Sequence, residues 1–99
     1  MHLPGSLASF PVNYATVLRL VKDRGELCGL EIVKASKGRI RTKDVYVILQ
    51  RLSAKGLLQS RKERRDQITW RYHSITQHGV RVLDAWDTLR EVSFRRKDA

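Results

Sequence analysis

Apolar residues recur along this chain at two periods, and the change of period divides it. Tyr14, Val17, Leu18 and Val21 fall at i, i+3, i+4 and i+7, the spacing that lines one side of a 3.6-residue helix. Asn13 is the candidate N-cap of this helix and Gly25 its left-handed terminator. Leu27 to Ser36 predicts a second helix, with Leu27, Leu30 and Val33 or Ala35 on one side, Cys28 and Ile32 beside them, and Gly38 as the stop. Gly29 inside it costs about 1 kcal/mol relative to alanine, which implies close packing against a neighbour. The third segment has the clearest ridge: Val45, Ile48, Leu49 and Leu52, with Thr42 as N-cap, Asp44 in the first turn and Lys55-Gly56 at the end.

After Gly56 the period shortens to two. Residues 57–63 and 68–75 read as strands, the second alternating Ile68, Trp70 and Tyr72 against Thr69, Arg71 and His73. The joint Arg64-Arg65-Asp66-Gln67 has no Asn-Gly or Asp-Gly pair, which leaves its turn type open. Thr76 then caps a last helix whose apolar side carries Val82, Leu83, Trp86, Leu89 and Val92, widened by Val80. At roughly 18–20 residues it reaches nearly 30 Å, more than a small domain needs to cover its own core. Residues 1–12, which hold both prolines, read as a flexible arm, and residues 96–99 as a frayed tail.

Three helices followed by a hairpin make the fold mainly α with a small β-hairpin: a winged helix-turn-helix over residues 13–75, plus a long C-terminal dimerisation helix over 76–95. The length of 99 residues accommodates one such domain. The N-terminus lacks the basic start of a signal peptide and no apolar run spans a membrane, so a cytoplasmic location is expected. The lone cysteine, Cys28, excludes an internal disulfide framework and fits a buried small residue.

Charge is the first functional clue, with a merely solubilising surface as its alternative. Twenty Lys and Arg against ten Asp and Glu leave a net +10, and nucleic acid is the commonest partner of so basic a small domain. The excess is concentrated in the middle of the chain and fades in its last quarter. With the Val45–Leu52 ridge turned inward, Lys43, Val47 and Gln50 face outward for base edges, flanked by Tyr46 and Arg51 for phosphates. Arg39 and Arg41 lie in the basic loop just before this helix, and Arg61, Lys62, Arg64, Arg65 and Arg71 on the hairpin would grip the backbone of duplex DNA. Two copies joined through Val82, Leu83, Trp86, Leu89 and Val92 would then read a pseudo-palindromic operator.

Three stretches carry a resemblance: Cys28-Gly29-Leu30-Glu31-Ile32, then Val45 to Leu58, then Arg71-Tyr72-His73-Ser74-Ile75-Thr76-Gln77-His78-Gly79. Together, over residues 14–92, this pattern resembles the PadR family of transcriptional regulators, in the spacing of Tyr46, Leu49, Arg51, Leu52, Gly56, Tyr72, Thr76 and Gly79. The resemblance implies a winged-helix DNA binder that dimerises through its C-terminal helix, often as a repressor. Some members respond to small aromatic or drug-like compounds, and Trp86 at the middle of the last helix is the candidate contact for such an effector, with a plain interface or core tryptophan as the alternative. The chain departs from the family at Arg41-Thr42-Lys43-Asp44, where Ser-Pro-Gly-Thr is common, and at Leu30 and His73, where tyrosine is usual.

No chemistry competes with this reading. His2, His73 and His78 have no metal-ligand spacing, Cys28 has no cysteine partner, and no phosphate loop, nucleophile elbow or carboxylate pair is present. An enzyme is excluded, and neither a metal nor another cofactor is expected. A protein-binding winged-helix adaptor and a non-specific architectural DNA binder are the alternatives.

Overall fold

The computed structural model describes residues 11–97, with side chains as far as Glu91. Helix α1 (Val12–Arg24) buries Tyr14, Ala15, Val17, Leu18 and Val21. Its N-cap is Pro11 rather than Asn13: the Pro11 carbonyl accepts from the amides of Tyr14 and Ala15, and a residue with an extended backbone suits that place. Of the flexible arm expected over residues 1–12, Pro11 is the N-cap and Val12 already helical, while residues 1–10 lie outside those described.

The segment expected as one helix from Leu27 divides. Leu27 and Cys28 form strand β1, and α2 (Gly29–Ala35) begins only after it. The division is local in origin, since Cys28 is the extended N-cap of α2 and Glu31 Oε1 reaches back to accept from its amide at 3.0 Å. Helix α3 (Thr42–Ala54) turns Val45, Ile48, Leu49 and Leu52 into the core, as its ridge predicts. Arg41, not Thr42, is its N-cap, and Thr42 is already helical. Gly56, at φ +75°, closes the helix, with the Gly56 amide on Ser53 O and the Leu57 amide on Leu52 O. That pair of bonds is the Schellman arrangement, which needs a left-handed residue.

Strands β2 (Leu58–Arg65) and β3 (Ile68–Ile75) form the hairpin. Asp66 and Gln67 make its two-residue turn, both left-handed at φ +50° and +65°, as the tight turns that follow strand twist require. The sheet has three strands in the order β1-β3-β2, one more than the two-stranded wing expected. The extra strand pairs Leu27 with His73 and Cys28 with Tyr72.

Helix α4 (Gln77–Lys97) is 21 residues long and runs past the end expected at residue 95, so the frayed tail expected from residue 96 is helical to Lys97; residues 98–99 lie outside those described. Thr76 caps it: its Oγ1 accepts from the Gly79 amide at 2.9 Å and donates to Gly56 O at 2.7 Å. Arg19 of α1 pairs with Asp87, and Lys22 Nζ lies 3.7 Å from Asp84, so α4 lies along α1. Leu83 is only 1% exposed and belongs to the core of its own protomer. It is therefore corrected from a partner contact to a core residue. Val82 and Trp86 are half-buried against the same core, and Val92 lies outside the described side chains.

Candidate nucleic-acid interface

Burying one side of α3 leaves the opposite side to solvent. Lys43, Gln50 and Arg51 are exposed, Val47 is 46% exposed and Tyr46 55%. Gly29 explains the seat of Tyr46: a Cβ at that position would lie 3.0 Å from Tyr46 Cε1, so the ring rests directly on the start of α2. The loop before α3 is pinned from inside. Ser36 Oγ donates to Val33 O at 2.8 Å and accepts from the Ile40 amide at 3.1 Å, and Ile40 is buried. Arg39 and Arg41, on either side of that plug, are exposed near the N-terminus of α3.

The hairpin sorts its charges by face. Opposite residues of an antiparallel pair share a face, and neighbours along a strand alternate. Register therefore puts Lys62 beside Arg71, Arg64 beside Thr69 and Ser60 beside His73 on one face, and Arg61 beside Tyr72, Glu63 beside Trp70 and Arg65 beside Ile68 on the other. The first face looks at α3 across a cleft of about 460 Å³ lined by Tyr46, Leu49, Gln50 and Ser53 on the helix side and Ser60, Thr69, Arg71 and His73 on the sheet side, with Trp70 reaching it from between Thr69 and Arg71. Lys62, Arg64 and Arg71 enter no ion pair among the described residues.

The second face neutralises its own cations. Arg61 is bidentate to Glu26, Nε to Oε2 and Nη2 to Oε1 both at 2.7 Å, and lies 3.5 Å from Glu63. Arg65 pairs with Glu63 at 2.8 Å. The bond from Arg61 holds the Glu26 carboxyl below its ordinary value and, in return, keeps Arg61 charged well above the usual guanidinium range. Arg61 and Arg65, expected among the phosphate contacts, are thus engaged within the protein and turned from α3. Arg51 is exposed but reaches back, its Nη1 donating to the Tyr14 hydroxyl at 3.2 Å.

His73 was not among the expected site residues, yet it stands on the sheet side of the cleft. It is buried, with no hydrogen-bond partner for Nδ1. Burial, with Arg71 nearby, pushes its pKa below the ordinary imidazole value and favours the neutral ring. Its alternation with Tyr72 was visible in the sequence, but the inward direction was not. Among the described residues no three His, Cys, Asp or Glu side chains gather as metal ligands, and no helix is long and apolar enough to cross a membrane.

Residues 17–85 match the model of the PadR-like family of transcriptional regulators. The chain belongs to that family. It is a family of regulators rather than enzymes. Among solved structures, the chain is similar to a PadR family transcriptional regulator of Eggerthella lenta, at 25% identity and TM-score 0.77, covering 87% of this chain and 78% of that one. Bacillus subtilis PadR in complex with operator DNA superposes at TM-score 0.73 with 22% identity, over 77% of this chain and 46% of that one, so this chain spans less than half of its length. A mutant Escherichia coli MarR complexed with operator DNA has TM-score 0.75 at 15% identity, over 93% of this chain and 64% of that one. These neighbours share the winged-helix fold. No characterised protein matches in a search by sequence.

Proposed function

We propose that this PadR-like chain is a homodimeric transcriptional repressor that binds a pseudo-palindromic DNA operator in the cytoplasm. Residues 13–75 are the DNA-binding domain and helix 76–95 the dimerisation element. Lys43, Val47 and Gln50 read base edges in the major groove, while Tyr46, Arg39 and Arg41 meet the flanking phosphates. Lys62, Arg64 and Arg71 hold the backbone. The observation that carries this reading is the shared cleft: Tyr46 and Gln50 of α3 line it opposite Arg71, and register puts Lys62 and Arg64 on the same sheet face as Arg71. The solved complexes of B. subtilis PadR and E. coli MarR with operator DNA support it by similarity of fold.

Two copies paired through Leu89, Val92 and the uncovered edges of Val82 and Trp86 would set the recognition helices about one DNA turn, ~34 Å, apart. A small aromatic effector beside Trp86 would act at this pairing surface, and quenching of tryptophan fluorescence that is lost in Trp86→Phe tests it. Gel-shift titration with random duplex at two salt concentrations tests the DNA reading as a whole. Micromolar binding that weakens steeply with salt is expected. Salt-independent binding, or none, overturns it and favours a protein-binding adaptor. Selection of duplexes from random sequence then separates a specific operator from architectural binding.

A further inference from the structure

The strand order β1-β3-β2 aligns Cys28, Tyr72 and Arg61 in one row across the sheet. Arg61 starts on β2, passes over the ring of Tyr72 at 5.0 Å, and ends on Glu26, the residue just before β1. A single side chain thus straps all three strands on the face turned from α3.

This row is also the last one that β1 covers. Beyond it, β2 and β3 pair only with each other, from Lys62–Arg71 to Arg65–Ile68. A cleft of about 460 Å³ separates this outer hairpin from α3 on one side, and one of about 420 Å³ separates it from α2 on the other. Two strands alone are marginal in water, and among residues 62–71 only Glu63 and Trp70 are half-buried, so the direction in which the outer hairpin leaves the sheet is decided largely where the strap crosses. Lys62, Arg64 and Arg71 all lie within the segment it aims.

We propose that Glu26, acting through Arg61, is the positioning residue of the wing: their bidentate bond across Tyr72 holds the outer hairpin at the angle that presents Lys62, Arg64 and Arg71 beside α3. The consequence for affinity rests on the DNA-binding reading above, whereas the strap itself does not.

The sign of the effect separates this role from simple charge. Removing an acid from a basic protein strengthens long-range attraction to DNA, and freeing Arg61 would add a cation. A positioning residue gives the opposite result. Hydrogen exchange and duplex affinity are to be measured on the full chain for Glu26→Ala, Glu26→Gln, Arg61→Lys and, as an acid control, Asp23→Ala, with random duplex DNA as the probe. For Glu26→Ala, amides 61–71 should exchange faster while those of α3 stay unchanged, and the Kd should rise roughly two- to fivefold, the scale of an exposed ion pair. Arg61→Lys should shift both in the same direction without changing net charge, and Glu26→Gln, which keeps a carbonyl acceptor, should fall between. Asp23→Ala should leave Kd unchanged or lower it. Unchanged exchange over 61–71, or tighter binding by Glu26→Ala, overturns the proposal. If the unaltered chain binds no duplex, the DNA reading fails and the exchange data still decide the strap.

Discussion

The ring of Tyr46 lies against Gly29 so closely that a Cβ there would sit 3.0 Å from Cε1 and 3.3 Å from Cζ. This contact seats the second turn of α3 on the first turn of α2. Tyr46 is half-exposed, so the ring has room to swing outward if a methyl group arrives. Gly29→Ala should therefore keep the fold, helped by up to about 1 kcal/mol of helix propensity, and displace a phosphate-facing residue. The expected outcome is an almost unchanged Tm with duplex binding weakened about fivefold, the worth of one hydrogen bond. A large fall in Tm would show that the ring cannot yield.

Gly79 offers the contrasting case. A Cβ there would meet the Leu57 carbonyl oxygen at 2.2 Å, and this is backbone that cannot swing away. Gly79→Ala must push α4 off the α3–β2 junction, at a cost of about 3 kcal/mol. Thermal melting should show a Tm lower by about 15 °C.

Gln50 lines the cleft from α3, Arg64 lies on the hairpin opposite the cleft residue Thr69, and the two should fail in different ways. Gln50→Ala should cost about 1–3 kcal/mol on the preferred operator and much less on other sequences. Arg64→Ala should weaken every sequence alike and lower the slope of log K against log salt by about 1. Titrations on two duplexes at several salt concentrations make the comparison, and a change of sequence preference by Arg64→Ala would contradict the division.

Leu89 tests the dimer more cleanly than Leu83 or Trp86, which pack wholly or partly on the core of their own protomer. Leu89→Arg should yield folded monomers in sedimentation, with weak operator binding and unchanged helical content. A dimer that survives would place the interface elsewhere.

His73 links stability to pH. Its folded pKa lies below the ordinary 6.5, because burial and Arg71 disfavour the charged ring. The unfolded chain therefore binds the proton first, and stability falls as pH drops below about 6.5, levelling once the folded ring is protonated as well. Glu26 acts lower down: its depressed pKa contributes stability above the ordinary 4.5 that is lost on further acidification. Melting between pH 7 and pH 5 should show a decline in Tm that His73→Gln flattens, and an equally steep decline in that variant would assign it to other groups.

The features legible in the sequence were those decided by near neighbours. The Val45, Ile48, Leu49 and Leu52 ridge could turn only one side of α3 inward, so Lys43, Val47 and Gln50 had to face out. The break of period after Gly56 marked the hairpin for the same reason. Less legible were the exact caps at Pro11 and Arg41, where backbone conformation outweighed the side chains that usually serve.

Sequence by itself therefore determined the succession of helices, the hairpin that follows Gly56 and the exposed side of α3, because periodicity acts over a few residues. Only the tertiary structure decided that Leu27 and Cys28 pair with β3, that Leu83 faces inward, and that Arg61 and Arg65 are held by Glu26 and Glu63 while Lys62, Arg64 and Arg71 stay available. The physical reason is separation along the chain: Leu27 meets His73 and Arg61 meets Glu26 only once the strands are side by side. A basic residue next to its twin in sequence can then point to the opposite side of the sheet.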